Sequence, residues 1–303
     1  MIVIDRLLFG GDSILSHLTN PMFSFHKLDI TEADVDHLLD RVDIIYHLAA
    51  IVGFPACQAV GEAAAVRYNV EGTKRVFTSA ERAGVSRFVF ASTYSVYGVA
   101  HDGRPVTEES PLSPQSLYAR TKIASEDYLR AQAPSSRCAP IIPRFTTLFG
   151  VSPRTRFDLL VNQFTLEALT KRKLVIFEGN YTRSFIHVRD IVAALQIFAH
   201  APIDTVRGQT FNVGADDGNF SKNEIVEMIC AAIPSVELEY RDLTFGADMR
   251  DVAVSCRKIR DLLGFRPSIS APFGIAEVRD AISSGLIYDP LSDRYRNHAL
   301  LVH

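Results

Sequence analysis

Val42-Asp43-Ile44-Ile45-Tyr46-His47-Leu48 is a near-continuous apolar run of strand length. That is the pattern of a strand buried on both faces of a parallel sheet. After it, Glu62 to Ala83 has helical periodicity and stops at Gly84, a residue that tolerates a left-handed helix end. Arg87 to Ser92 reads as strand, Ser116 to Ala131 as helix and Ala139 to Phe145 as strand. Before the run, Ile2 to Asp5 and Phe23 to Leu28 read as strands, and Thr31 to Asp40 as a short helix capped by Thr31. This alternation predicts an α/β fold with a doubly wound parallel sheet covered on both faces.

Beyond about Gly150 the pattern loosens. Phe157 to Lys171 reads as a helix, Leu174 to Phe177 as a strand, and Asp190 to His200 as a helix capped by Asp190. Thr210 to Val213, Lys222 to Ile233 and Val236 to Tyr240 follow as strand, helix and strand. We therefore expect a dinucleotide-binding half over residues 1–150 and a smaller α/β substrate lobe over 151–303, with segments near 184–215 returning to the first half.

The chain has 303 residues, 47% hydrophobic and 22% charged, with a net charge of −3. Those values fit an ordinary globular protein and give no electrostatic reason to expect nucleic acid. No apolar run approaches the roughly 18 residues of a membrane span, and the N-terminus lacks the basic and apolar regions of a signal peptide. A cytoplasmic location is expected. Cys57, Cys138, Cys230 and Cys256 show no paired spacing and read as reduced thiols, and no His/Cys/carboxylate cluster suggests a metal.

Tyr118-Ala-Arg-Thr-Lys122 places a phenol and an ammonium four apart on one helical face. A free phenol titrates near ~10, and a neighbouring ammonium favours the phenolate, making the tyrosine a usable acid or base. The Arg87 to Ser92 strand delivers two hydroxyls, Ser92 and Thr93, followed by Tyr94-Ser95-Val96-Tyr97-Gly98. With His47-Leu48-Ala49-Ala50, Asn69-Val70-Glu71-Gly72-Thr73, Arg144, Arg183-Ser184-Phe185-Ile186-His187-Val188 and Phe211-Asn212-Val213-Gly214, the chain resembles the extended short-chain dehydrogenases/reductases that act on nucleotide sugars. These are the NAD-dependent epimerase/dehydratase family.

The resemblance implies a Rossmann-type sheet and a bound NAD, with NADP still open. Tyr118 would be the base, Thr93 its hydroxyl partner, and Lys122 the group that lowers the tyrosine pKa and holds the nicotinamide ribose. Asp5 would accept the adenosine ribose hydroxyls and repel a 2′-phosphate, with Arg6 placed to offset that repulsion. Asp29 and Ile30 would contact adenine, Leu48, Ala49 and Ala50 would let the backbone pass close to the cofactor, and Asn69 would tie that loop down. Ser92, Thr147, Arg183 and Arg250 would meet the nucleotide sugar, the arginines forking onto its diphosphate. His187 reads as a packed histidine. Ala50 to Cys57 would line the sugar pocket. A homodimer follows by fold analogy.

Two departures qualify the resemblance. Members of the family open with a strand and a Gly-x2-Gly-x2-Gly turn, whereas this chain opens on what looks like their second strand. Gly10-Gly11 follows Asp5 and is no substitute. About 30 residues of βα unit are thus expected to be absent, leaving two strands with unpaired edges at roughly 1–3 kcal/mol for each unmet group. We expect a start drawn too late or a chain cut from a longer parent, against the alternative of a non-catalytic remnant or binding scaffold. The second departure is Thr93-Tyr94-Ser95, which holds no carboxylate where 4,6-dehydratases carry Thr-Asp-Glu. Dehydration is disfavoured, and a 4-epimerase or a ketoreductase remains.

Overall fold

The computed structural model describes residues 1–100, 103–241 and 251–298. Strand β1 (Ile2–Asp5) is followed by the short α1 (Asp12–Leu15), β2 (Ser24–Lys27) and β3 (Ile44–His47). Then come α2 (Phe54–Val60), α3 (Glu62–Val66), a π-helical turn (Arg67–Glu71) and α4 (Gly72–Ala83), which ends on Gly84 at φ +75°. β4 (Arg87–Phe90), β5 (Ser92–Thr93), α5 (Leu117–Gln132) and β6 (Ala139–Phe145) complete the first half. The remainder adds β7 (Thr147–Phe149), α6 (Leu160–Lys171), β8 (Lys173–Phe177), β9 (Thr182–His187), α7 (Val188–His200), α8 (Ile203–Val206) and β10 (Thr210–Val213). It closes with β11 (Asn219–Ser221), α9 (Lys222–Ala232), β12 (Glu237–Arg241), α10 (Arg257–Leu263) and α11 (Ala271–Ser283).

The main sheet runs β10-β6-β4-β3, all parallel, with β5 continuing beside β6. Both faces are covered, because alternate residues of one strand point opposite ways. Phe88 and Phe90 pack with Val76, Phe77 and Ala80 of α4 and Leu129 of α5. Val89, between them, packs with Ile191, Ala194 and Phe198 of α7. The fold is therefore α/β with a doubly wound parallel sheet.

β1 and β2 pair in parallel as a separate two-stranded sheet, Ile2 opposite Ser24 through Asp5 opposite Lys27. Among the described residues, no strand pairs with the β1 edge away from β2 or the β3 edge away from β4. A second core, Val161, Leu174, Ile176, Phe185, Ile225 and Ile275 among others, sits between β8, β9, α6, α9 and α11. β9 bridges β7 in parallel and β11 antiparallel, while β12 flanks β8. Among the described residues, no helix is long and apolar enough to cross a membrane.

Two expected helix features are corrected. Thr31 to Asp40 is a turn with only a 3-10 segment at Asp36–Leu38. Asp29 bonds both the N–H and the hydroxyl of Thr31, at 2.8 Å each, and Arg75 takes the carbonyls of Glu32 and Ala33 at 3.2 Å. Side chains thus take the groups that a helix would have used. Helix α7 is capped not by Asp190 but by His187, whose ring accepts from Arg189 N at 3.2 Å. Asp190 instead receives the N–H groups of Ser268 and Ile269 at 3.0 and 3.1 Å.

Gly98 ends the Tyr94–Tyr97 turn at φ +69°, where an added Cβ would stand 2.0 Å from Ser113 O. Gly98→Ala therefore combines left-handed strain with a backbone clash. We expect a loss of at least about 2 kcal/mol in urea unfolding.

Candidate active site

Helix α5 starts where Ser116, in extended backbone, accepts Ala119 N at 3.1 Å through its hydroxyl. One turn apart along the helix lie Tyr118, Lys122 and Glu126. Lys122 is buried and donates to Ala91 O at 2.7 Å. Its Nζ stands 4.6 Å from the Phe90 ring centre and 5.9 Å from that of Tyr118. Glu126 is fully buried and accepts the Ser92 hydroxyl, a short contact. The lysine and the glutamate thus grip adjacent residues, Ala91 and Ser92, and fix the strand end against the helix that carries Tyr118.

Glu126 also receives Arg144 from β6, Nε at 3.0 Å and Nη2 at 2.6 Å, and Arg130 from its own helix. Arg144 Nη1 donates to Tyr97 Oη at 2.9 Å, and that phenol donates to Asn212 Oδ1 at 2.6 Å. Burial alone would lower the Arg144 pKa, but its bonds and charge contact with Glu126 hold it above its ordinary value. For Lys122 burial prevails over the charges of Cys57 and Glu126 and pushes it down to about 8.

Thr93, buried at the strand end, donates to Ser95 Oγ at 3.0 Å and accepts Ser95 N at 3.2 Å. Tyr94 Oη and Thr147 Oγ1 lie 2.7 Å apart in the interior, a contact that ties the middle residue of the Thr93-Tyr94-Ser95 stretch to β7. Asn69, on the π turn, accepts Ile51 N at 2.7 Å and donates to Ile51 O at 3.0 Å and Thr121 Oγ1 at 3.1 Å. It ties the loop after β3 to α5. A π turn inside a helix is a frequent companion of functional sites. His47 is buried, its Nε2 2.9 Å from Thr73 Oγ1, and burial first, then Lys122, pushes its pKa to about 3. Leu48 is 52% exposed, and Ala49 and Ala50 are half-buried beside it.

Asp5 is exposed and accepts Leu7 N at 2.6 Å. Arg6 does not face it as an offset: the guanidinium turns to Asp29 at 3.1 Å and to the Tyr68 hydroxyl. Burial raises the Asp29 carboxyl, but the Thr31 bonds and the arginine charges hold it below its usual value. Ile30 packs over Gly72, its Cδ1 3.1 Å from where a Cβ there would be. Arg183 is buried on β9, and Arg250 lies outside the described residues. His187 is buried, with Nε2 2.8 Å from Glu277. Sequence reasoning missed Glu126, although it continues the four-residue spacing from Tyr118 through Lys122. It also missed the Tyr94–Thr147 contact, which no spacing foretells.

A doubly wound sheet with a Tyr/Lys helix locked to a hydroxyl-bearing strand end is the arrangement that the sequence resemblance implies for a dinucleotide-dependent enzyme. Comparison with known proteins places the chain more closely. The NAD dependent epimerase/dehydratase family profile matches residues 1–214, and the chain belongs to that family. It is 29% identical over 269 residues to an uncharacterized UDP-glucose epimerase of Bacillus subtilis, covering 88% of this chain and 83% of that protein. It is 30% identical over 303 residues to the UDP-glucose 4-epimerase of Mycolicibacterium smegmatis, covering 91% and 92%. Among solved structures, the dTDP-glucose 4,6-dehydratase DesIV of Streptomyces venezuelae with NAD and TYD bound aligns with a TM-score of 0.81 at 27% identity, covering 96% and 90%.

Removing Glu126 would leave Arg144 charged and unanswered in the interior. Glu126→Ala should cost about 3–5 kcal/mol in denaturant unfolding, and a loss under about 1 kcal/mol would show that the pair is not the clamp described. Lys122 carries a second signature. Its folded pKa, about 8, lies below its ordinary 10.5, so between those values the unfolded chain binds more protons. Stability should therefore rise with pH across that window. In Lys122→Met the rise attributable to this group should vanish, as measured by unfolding at about pH 7.5, 9 and 10.

Proposed function

We propose that this protein is an NAD-dependent, epimerase-like oxidoreductase that acts at a hydroxyl-bearing carbon of a nucleotide sugar. The observation that carries this reading is the grip of Lys122 and Glu126 on Ala91 and Ser92, which sets Thr93 and Tyr118 on adjoining elements. The described residues fit the two ends of a dinucleotide. A carboxylate ends β1, and an open apolar Leu48 with two alanines ends β3. Lys122 and Tyr118 stand by the strand end of β5. Because Arg6 is committed to Asp29 and Tyr68, Asp5 keeps its repulsion for a 2′-phosphate, which supports NAD over NADP.

When bound, the cofactor supplies the acceptor and donor of the hydride. Tyr118 takes the proton from the sugar hydroxyl and returns it when the ketone is reduced. Thr93 bonds the same oxygen and shares its developing charge, and Lys122 as an ammonium favours the phenolate of Tyr118. Ser92, with its hydroxyl given to Glu126, braces the strand end from behind. Arg183, Arg250 and Thr147 meet the diphosphate side of the substrate. The Thr93-Tyr94-Ser95 stretch offers no acid for loss of water, and Tyr94 Oη is held by Thr147, which supports epimerisation over dehydration.

The test is turnover of UDP- and dTDP-linked hexoses with NAD, with sugar products resolved by chromatography and cofactor followed by absorbance. We expect an epimeric product with no net change in cofactor oxidation state. Tyr118→Phe and Thr93→Val should each lower kcat by about 10²–10⁴ while NAD binding by calorimetry is kept. Undiminished turnover by Tyr118→Phe would remove that residue as the base. Net reduction or oxidation of the cofactor, matched to product, would favour the ketoreductase.

A further inference from the structure

Strand β5 carries two hydroxyls, and the structure employs them differently. Ser92 gives its proton to the buried Glu126 carboxylate, a charged acceptor. Thr93 gives its proton to Ser95 Oγ at 3.0 Å, a neutral one. A hydrogen bond to an ionised group is roughly twice as strong as one between neutral groups. The Ser92 proton is therefore locked, whereas the Thr93 proton can turn to a better acceptor.

Ser95 is held in place beside Thr93. It lies in the 3-10 turn Tyr94–Tyr97, and its N–H donates to Thr93 Oγ1 at 3.2 Å. At the far end of that turn, Ser113 N donates to Val96 O at 3.0 Å, and Gly98 leaves no room for a Cβ against Ser113 O. Both Thr93 and Ser95 are buried, so the Ser95 oxygen is a fixed acceptor for the Thr93 hydroxyl.

A threonine hydroxyl has one proton and two lone pairs. In Thr93 the proton is spent on Ser95 Oγ and one lone pair on Ser95 N. A neutral sugar hydroxyl is no better an acceptor than Ser95 Oγ, so its arrival gives the proton no cause to turn. A sugar oxygen that is losing its proton gathers negative charge and becomes the stronger acceptor, and the Thr93 proton then swings to it. An interaction that strengthens only as charge develops lowers the barrier without tightening the ground state.

We propose that Ser95 is a positioning residue, which holds the Thr93 proton off the neutral substrate and yields it to the oxygen that is giving its own proton to Tyr118. Thr93 keeps its proton throughout. The only proton transferred is the one that passes from the sugar hydroxyl to Tyr118 and returns when the ketone is reduced. This rests on the nucleotide-sugar reading above and gives Ser95 a part in it, through Thr93 and not through the sugar.

The experiment is steady-state turnover of UDP-glucose, UDP-galactose and dTDP-glucose with NAD by the unmodified protein, Ser95→Ala, Ser95→Cys, Thr93→Val and the double variant Thr93→Val/Ser95→Ala, with melting temperatures recorded for each. In Ser95→Ala the Thr93 proton meets the neutral sugar hydroxyl, so the ground state tightens. KM and kcat should fall together, each about twofold to tenfold, with kcat/KM kept within about threefold. Ser95→Cys offers a weaker acceptor of similar size. It should shift both constants in the same direction by a smaller factor, and it carries the test if Ser95→Ala does not fold. On the Thr93→Val background, Ser95→Ala should leave KM where it is.

A raised KM in Ser95→Ala, or a kcat/KM lowered by more than about threefold, makes Ser95 a brace for the turn and overturns the proposal. A fall in KM that survives on the Thr93→Val background also overturns it, by placing Ser95 on the sugar itself. If Thr93→Val slows turnover while Ser95→Ala changes neither constant, the nucleotide-sugar reading stands and the Ser95 proposal alone fails. If Thr93→Val turns over as fast as the unmodified protein, the role of Thr93 fails and that of Ser95 with it. If no nucleotide sugar is turned over, the nucleotide-sugar reading and the proposal fail together.

Discussion

The charge of Glu126 is the constraint around which the Tyr118 helix and the Ser92-Thr93 strand end are arranged. A carboxylate with no solvent access must be met by cations and donors or it would cost several kcal/mol. Here it is met by Arg144 from β6, Arg130 from its own helix and the Ser92 hydroxyl from β5. Each partner comes from a different element, so satisfying one charge fixes helix, strand end and sheet in a single arrangement. Lys122, one turn earlier, adds a bond to Ala91 O. The Tyr118 helix and the Thr93 strand end are thereby set in register.

The same network continues inward through Tyr97 and Asn212 to β10, the strand by which the C-terminal half re-enters the sheet. The second half and the Tyr118 face of the first are joined through polar contacts as well as apolar packing. On the substrate side the chain follows its own course. Tyr94 reaches Thr147, and Arg156 and Arg154 of the loop before α6 stand against Gly53 and Phe9.

The elements that the sequence shows clearly are those whose own residues dictate them. The apolar run at Val42 to Leu48, the helix stopping at Gly84 and the strand Ala139 to Phe145 emerge with at most small shifts at their ends, because burial on both faces and a left-handed glycine are local signals. Thr31 to Asp40 failed for the opposite reason. Arg75, distant in sequence, takes the carbonyls of Glu32 and Ala33, and Asp29 takes the Thr31 N–H, backbone groups a helix would have paired. Asp190 looked like a cap, but Ser268 and Ile269 claim it from the far side of the chain.

For the site, the sequence by itself determined the residue types and their order: a Tyr/Lys pair on one helical face, hydroxyls ending a buried strand, and an acid ending β1. Those follow from spacing and periodicity, which are properties of neighbours along the chain. Only the tertiary structure decided that Glu126 would clamp Ser92, that Arg6 would turn from Asp5 to Asp29, and that Tyr94 would meet Thr147. Each of these is a pairing of charge or hydrogen-bond capacity between residues far apart in sequence, and such pairings are settled only when folding brings the groups out of water together.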